Sequence, residues 1–183
     1  MTLKHSEYET CAMNARANLP APTHTLCFLT SGEKVLMLYR RKEPNRGLWN
    51  GVGGRIEIGE APHAACLREV HEETGLYLTA ARFAGLLTWR GTAGVGALAL
   101  YTAPAPSEAV SACDEGELRW HPKQWVIRSG SVVSNIHIFG TDVFNEAPPC
   151  VYHFNYGIHG EIQSYERQPL PASFHASKYD TDI

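Results

Sequence analysis

The apolar positions of the chain fall into runs with two different periods. Residues 23–30, THTLCFLT, read as a strand, and SGEK behind it as a turn. VLMLYRR, 35–41, opens with an unbroken apolar stretch, which predicts a strand covered on both faces and therefore central in its sheet. KEPNRGLWNGVGG, 42–54, is rich in Gly, Pro and Asn and reads as a loop. A helix is expected from Pro62 to Thr74. Proline suits a first helical turn and Gly75 suits the position just past the last one, while Ala61 stands where a capping Ser, Thr, Asp or Asn is usual.

Further along, AARFAGLLTWR (80–90) and VGALALYTA (95–103) read as strands and PAPSEAVSACDEGE (104–117) as a loop. LRWHPKQWV leads into a second helical pattern, in which Val132, Val133, Ile136, Phe139 and Val143 recur at spacings of roughly three and four. CVYHFNYGIHGEIQSYE (150–166) alternates around a glycine-containing turn and predicts a late hairpin, with a loose tail behind it. Strands mixed with two helices predict an α+β fold on a mixed sheet. The chain divides into an N-terminal extension (1–22), one domain (23–165) and a C-terminal tail (166–183), with no internal repeat.

Composition narrows the function classes. The 183 residues carry a net charge of −3, so general attraction to nucleic acid or to an anionic membrane surface is not expected. Five widely spaced cysteines, an odd number with no CxxC pair, argue against a disulfide framework or a zinc site and for a reducing compartment. No apolar run approaches the roughly 18 residues of a membrane span, and the polar N-terminus does not read as a signal peptide. The expected location is the cytoplasm.

The chemistry concentrates in the first helix. At about 100° per residue, Glu69, Glu72 and Glu73 share one face, Arg68 lies beside them, and Leu67, Val70 and Thr74 point toward the core. Charge alone fits a solvated acidic face. A convergent set of carboxylates also fits hard cations, since Mg²⁺ and Mn²⁺ take oxygen ligands and keep waters for substrate phosphates.

The surroundings separate the two readings. Gly54, Glu60 and the run Arg68-Glu69-Val70-His71-Glu72-Glu73-Thr74-Gly75-Leu76 reproduce the pattern G-x5-E-x7-R-E-U-x-E-E-x-G-U, where U is a bulky aliphatic residue. This resembles the Nudix box at every fixed position, and a chance match at a given start is below about one in 10⁸. The resemblance implies the Nudix fold over residues 23–165: an α/β/α sandwich with a mixed central β-sheet, the box forming a loop-helix-loop.

The resemblance also implies a hydrolase for nucleoside diphosphates linked to another moiety, using Mg²⁺ or Mn²⁺. By the same resemblance Glu69, Glu72 and Glu73 bind the metal, Gly53 adds its backbone carbonyl, Glu60 assists nearby, and Arg68 holds the glutamates by charge-assisted hydrogen bonds. Arg55, Arg40 and Arg41 are candidate phosphate contacts or simply solvent-exposed. The base that activates water in MutT-like members lies before a late strand. Glu115, five residues ahead of Trp120, is the choice here, with Glu117 second and Glu60 or Glu72 as alternatives.

The segment GLWNGVGGRIE resembles that of MutT-like pyrophosphatases acting on purine nucleoside triphosphates, a subgroup that includes enzymes clearing oxidised guanine nucleotides. This places Asn50 on the base, against a simpler role in a turn. Asn135 either contacts the base or, as the reading preferred here, caps the second helix. Trp49 is expected in the core, and His71 exposed and turned away from the glutamates. The expected partner is a small nucleotide. The rival functions are hydrolysis of ADP-ribose or a related diphosphate, and a nucleotide-binding module without turnover.

Overall fold

The computed structural model describes residues 19–172, apart from 93 and 112, together with 174 and 179. The strands are β1 (His24–Ser31), β2 (Lys34–Arg40), β3 (Trp49–Asn50), β4 (Arg82–Gly91), β5 (Gly94–Pro104), β6 (Gly116–Pro122), β7 (Cys150–Tyr156) and β8 (Ile162–Pro169). The helices are α1 (Pro62–Thr74), α2 (Lys123–Val126) and α3 (Ile136–Phe144). One sheet runs in the order β3-β2-β1-β5-β4-β7-β8, with β6 also on β2. The pairs β1/β5 and β4/β7 are parallel and the others antiparallel, so the sheet is mixed as expected.

Alternation along the central strands builds two cores, one on each face. Leu26 and Phe28 of β1, with Val35 and Met37 of β2, pack beneath Ile136, Phe139 and Val143 of α3. Cys27, Leu29, Leu36 and Leu38 pack on the other face with Cys66 and Val70 of α1. The result is the helix–sheet–helix sandwich. Val35, Leu36, Met37 and Leu38 are all fully buried, which is why β2 lacks a polar face in the sequence.

Helix α1 has the expected ends. Ala61 makes no side-chain cap, and Gly75 closes the helix at φ 74°, its N–H donating to the His71 carbonyl. The buried stripe, however, runs through His63, Cys66, Val70 and Thr74. Leu67, expected toward the core, is only partly buried. The stripe is thereby rotated so that Glu73, counted with the acidic face, is itself buried.

Four other expectations are corrected. The 42–54 loop contains the short strand β3. Residues 116–122, not recognised as a strand, form β6, paired along β2 from Lys34↔Pro122 to Arg40↔Gly116, and lead into the short helix α2. Helix α3 begins at Ile136, and Val132 and Val133 precede it. There the Trp49 N–H donates to the Ser131 carbonyl and the Val133 N–H to the Trp49 carbonyl. The late hairpin, read to Glu166, continues to Pro169, and Phe174 and Tyr179 pack on Phe83. Most of the expected N-terminal extension, residues 1–18, lies outside the described residues. Among the described residues, no helix is long and apolar enough to cross a membrane.

The fold opens a site where two strands part. β1 and β2 pair only at Thr30↔Val35 and Ser31↔Lys34; β2 then pairs with β3 at Leu38 and Tyr39, while β6 accompanies it from Lys34 to Arg40. The segment 51–55 fills the vacated edge of β1. The Cys27 N–H donates to the Val52 carbonyl at 2.7 Å and the Thr25 N–H to the Gly54 carbonyl at 2.8 Å. This approach is closer than a side chain allows: a Cβ at Gly53, where φ is 143°, would stand 2.3 Å from the Thr25 carbonyl oxygen.

Candidate functional site

Tethering of segment 51–55 to β1 brings its glycines against α1. The Gly53 N–H donates to a Glu73 carboxylate oxygen at 2.7 Å. The Glu69 carboxylate fills the space a Cβ on Gly54 would occupy, at 2.4 Å. The three glutamates of the helix therefore sit in different environments: the Glu72 side chain is 56% exposed, that of Glu69 16%, and Glu73 as a residue 5%.

Arg68 ties the acidic face together. Its Nε donates to Glu60 at 2.9 Å, one terminal nitrogen to Glu69 at 2.8 Å and Glu72 at 3.1 Å, and the other to Glu60 at 3.0 Å and the Arg55 carbonyl at 2.9 Å. One planar guanidinium thus links the helix to the loop before it. The Arg68 hydrogen bonds hold the Glu60 carboxyl below its ordinary range. Burial pushes Glu69 up, against the pull of Arg68. Burial pushes Glu73 up to about 8, and the like charges of Glu115 and Glu69 add to this.

Glu69, Glu72 and Glu73 line a cleft of about 1040 Å³, large enough for a nucleotide. Glu69, Glu72, Glu73, Asp114 and Glu115 face only Arg40 and Arg55 among its carboxylate and guanidinium groups. Glu115 comes from the loop before β6. Its side chain lies 3.5 Å from Arg40 and 4.0 Å from Lys42, and its carbonyl accepts from the Arg41 N–H.

Of the other expected site residues, Gly53, Asn50, Arg55 and Asn135 line the cleft. Glu60 reaches the site through Arg68 rather than by lining it. Arg41 is exposed and does not line the cleft, and Glu117, the second-choice base, points along β6 to Arg119. Trp49 is buried as expected, whereas His71 is half-buried and stacked on Tyr77 at 3.8 Å between ring centres.

The cleft is also lined by the apolar Leu26, Leu87, Trp89, Leu98 and Val133. Trp89 was missed in the sequence. It pairs with Gly96 across β4 and β5, and a Cβ on Gly96 would lie 2.2 Å from the indole, so the ring occupies space that a side chain there would fill. The one available signal was the glycine opposite the tryptophan, and it needed the strand register to be seen. Asn135 does not cap α3. Its Nδ2 donates to the Tyr156 hydroxyl at 3.0 Å, and no side-chain cap bond is made. Asn50 accepts the Gly51 N–H on its Oδ1 at 2.9 Å.

The donor set suits a hard divalent cation: it is all-oxygen and carries several carboxyl groups, and the charge of a cation would offset the cost of ionising the buried Glu73. As the side chains stand, no group of three His, Cys, Asp or Glu among the described residues could hold an ion. The Gly53 N–H engages one carboxylate oxygen of Glu73, and Arg68 one each of Glu69 and Glu72.

A family model described as NUDIX domain matches residues 20–135. The chain is 36% identical over 103 residues to the uncharacterized Nudix hydrolase YvcI of Bacillus subtilis, a match spanning 53% of this chain and 63% of that one. It is 36% identical over 52 residues to an oxidized purine nucleoside triphosphate hydrolase of Danio rerio, covering 28% of this chain and 33% of that one. The crystal structure of a mutator MutT protein from Bacillus halodurans superimposes with a TM-score of 0.68 at 26% identity, over 81% of this chain and 98% of that one.

Proposed function

This chain belongs to the Nudix family, and from that premise we propose that it is a divalent-metal-dependent hydrolase of nucleoside triphosphates, oxidised or related purine nucleotides among them, releasing nucleoside monophosphate and pyrophosphate. One observation carries the reading: a single cleft is lined both by the carboxylates of Glu69, Glu72, Glu73, Asp114 and Glu115 and by apolar side chains with the amides of Asn50 and Asn135 among them. The carboxylates, with a cation, suit a polyphosphate, and the apolar and amide groups suit a base. The similarity to the oxidized purine nucleoside triphosphate hydrolase supports this substrate class.

In this reading Mg²⁺ or Mn²⁺, held by Glu69, Glu72, Glu73 and the Gly53 carbonyl, supplies the positive charge that a cleft with five acids and two arginines lacks for a polyanion. Arg40 and Arg55 bind phosphate oxygens. Glu115, on the opposite wall from α1, accepts the proton of the attacking water, and its pairing with Arg40 brings base and phosphate contact together. Arg68 and Glu60 position the glutamates. Arg68→Lys, which keeps the charge but loses the planar fork, should lower kcat at least about 10-fold with little change in Tm. Steady-state kinetics beside a thermal melt checks this.

Asn50→Ala should weaken selection of purine over pyrimidine triphosphates more than it slows hydrolysis of either. Equal loss on both would argue against a base contact. The test of the function as a whole is a panel of canonical, oxidised and diphosphate-linked nucleotides with Mg²⁺ and Mn²⁺, products identified by mass. Monophosphate plus pyrophosphate from purine triphosphates is expected. Faster cleavage of ADP-ribose, or nucleotide binding without turnover of any compound, would overturn it.

A further inference from the structure

A helix that ends inside a protein needs donors for its last carbonyls, because water cannot reach them. Thr74 is the last residue of α1 and is fully buried. The donor to its carbonyl is the Ser111 N–H, at 2.8 Å, from the loop between β5 and β6. Gly75 admits that loop. A Cβ on Gly75 would stand 2.4 Å from the Ser111 Oγ, so glycine is needed there for the contact as well as for the left-handed φ. Thr74 is held in turn by its own hydroxyl, which donates to the Val70 carbonyl at 2.6 Å and accepts from the Leu76 N–H at 3.1 Å.

The same loop is fastened a second time, to the start of the sheet. The Glu108 carboxylate accepts from the Ser31 hydroxyl at 2.7 Å and from the Lys34 Nζ at 2.9 Å, and the Glu108 carbonyl accepts from the Trp120 indole N–H at 3.0 Å. Beyond these two anchors the chain delivers Glu115, four positions after Ser111, to the cleft wall. There its charge reaches α1: the Glu73 carboxyl, raised chiefly by burial, is raised further by Glu115.

We propose that Ser111 and Glu108 are positioning residues: the Ser111 N–H on the end of α1 and the Glu108 carboxylate on β1 and β2 hold the loop so that Glu115 faces the glutamates of α1 at a fixed separation. This deepens the reading of Glu115 as the base and rests on it. A base works only within hydrogen-bond reach of the water it deprotonates, and a misplacement of about 1 Å costs on the order of 100-fold in rate. Bonding the loop to the helix that carries Glu69, Glu72 and Glu73 makes the two sides of the site move as one piece.

The test uses the full chain and whichever of GTP, ATP and their 8-oxo forms the wild type cleaves fastest with Mg²⁺; kcat, KM and Tm are measured for each variant. Ser111→Pro, which has no N–H to give, should lower kcat at least about 10-fold with KM within about 3-fold of wild type. Ser111→Ala, which keeps the N–H, should stay within about 2-fold. Glu108→Ala removes an exposed pair that the fold does not depend on, and should lower kcat at least about 3-fold. A loss that acts through the base disappears once the base is gone, so in a Glu115→Gln background neither Ser111→Pro nor Glu108→Ala should lower the residual kcat further. A purely structural role would lower kcat by the same factor in both backgrounds and overturn the proposal, as would wild-type kcat in either variant. Should Ser111→Pro fail to fold, Glu108→Ala decides by the same two criteria. If Glu115→Gln is inactive while the anchor variants match wild type, the positioning falls and the base stands. If Glu115→Gln keeps wild-type kcat, or wild type cleaves none of the four nucleotides, both fall.

Discussion

Glu72→Gln should cut kcat by at least about 100-fold and leave the fold unchanged. The structure makes this a clean substitution. The Glu72 side chain is 56% exposed, and its carboxylate accepts from Arg68 at 3.1 Å. An exposed pair of this kind is worth well under about 1 kcal/mol, and glutamine still accepts from Arg68. Any large loss must therefore come from the missing charge in the cleft. Kinetics with Mg²⁺, together with a circular dichroism melt, separates the two. A variant keeping more than about a tenth of wild-type kcat removes Glu72 from the metal-binding set proposed here.

The second large effect is expected at Glu73, and it runs against the usual pH behaviour of a carboxylate. Its folded-state pKa is raised to about 8, chiefly by burial, from an ordinary value of 4.5. The folded protein therefore holds this proton more tightly than the unfolded chain. The stability it contributes is fully present below pH 4.5 and is lost as pH rises toward 8. By pH 7 the loss amounts to about 3 kcal/mol.

A divalent cation favours the ionised form and should reverse the trend. Without metal, the Glu73 contribution should make the protein less stable at pH 8 than at pH 5.5. Adding Mg²⁺ should raise Tm more at pH 8 than at pH 5.5. Glu73→Gln should raise the metal-free Tm at pH 8, because the amide oxygen still takes the Gly53 N–H without a buried charge, while hydrolysis is lost. Urea titrations of wild type and variant across that range, with and without Mg²⁺, measure the difference. A variant no more stable than wild type at pH 8 would contradict the assignment.

What could be read in advance depended on how local the information was. The ends of α1 were legible because Pro62 and Gly75 act through their own backbone, a fixed φ at one end and an accessible left-handed turn at the other. The central place of β2 was legible because a strand buried on both faces has no polar alternation to show. The acidic cluster was legible from its box spacing. Its inequality was not: Glu73 differs from Glu72 because segment 51–55 closes over it, and that segment is held by β1, well before it in the chain.

The remaining differences have the same origin. Residues 116–122 are a strand because β2 leaves an edge to pair with, which the local sequence does not record. Asn135 has the residue type of a helix cap, yet its amide goes to Tyr156, brought beside it by the parallel pairing of β7 with β4. Trp89 is a cleft wall only because its register partner is Gly96. Periodicity and motif spacing act over one or two turns of chain, and they sufficed for the mixed sheet, the box and the side chains that carry the charge; the helix on each face followed from the family resemblance of that box. The tertiary structure alone decided which of those charges is buried, which amide group faces the cleft and which apolar side chains line it. Desolvation and hydrogen-bond orientation are set by neighbours that meet only once the chain has folded.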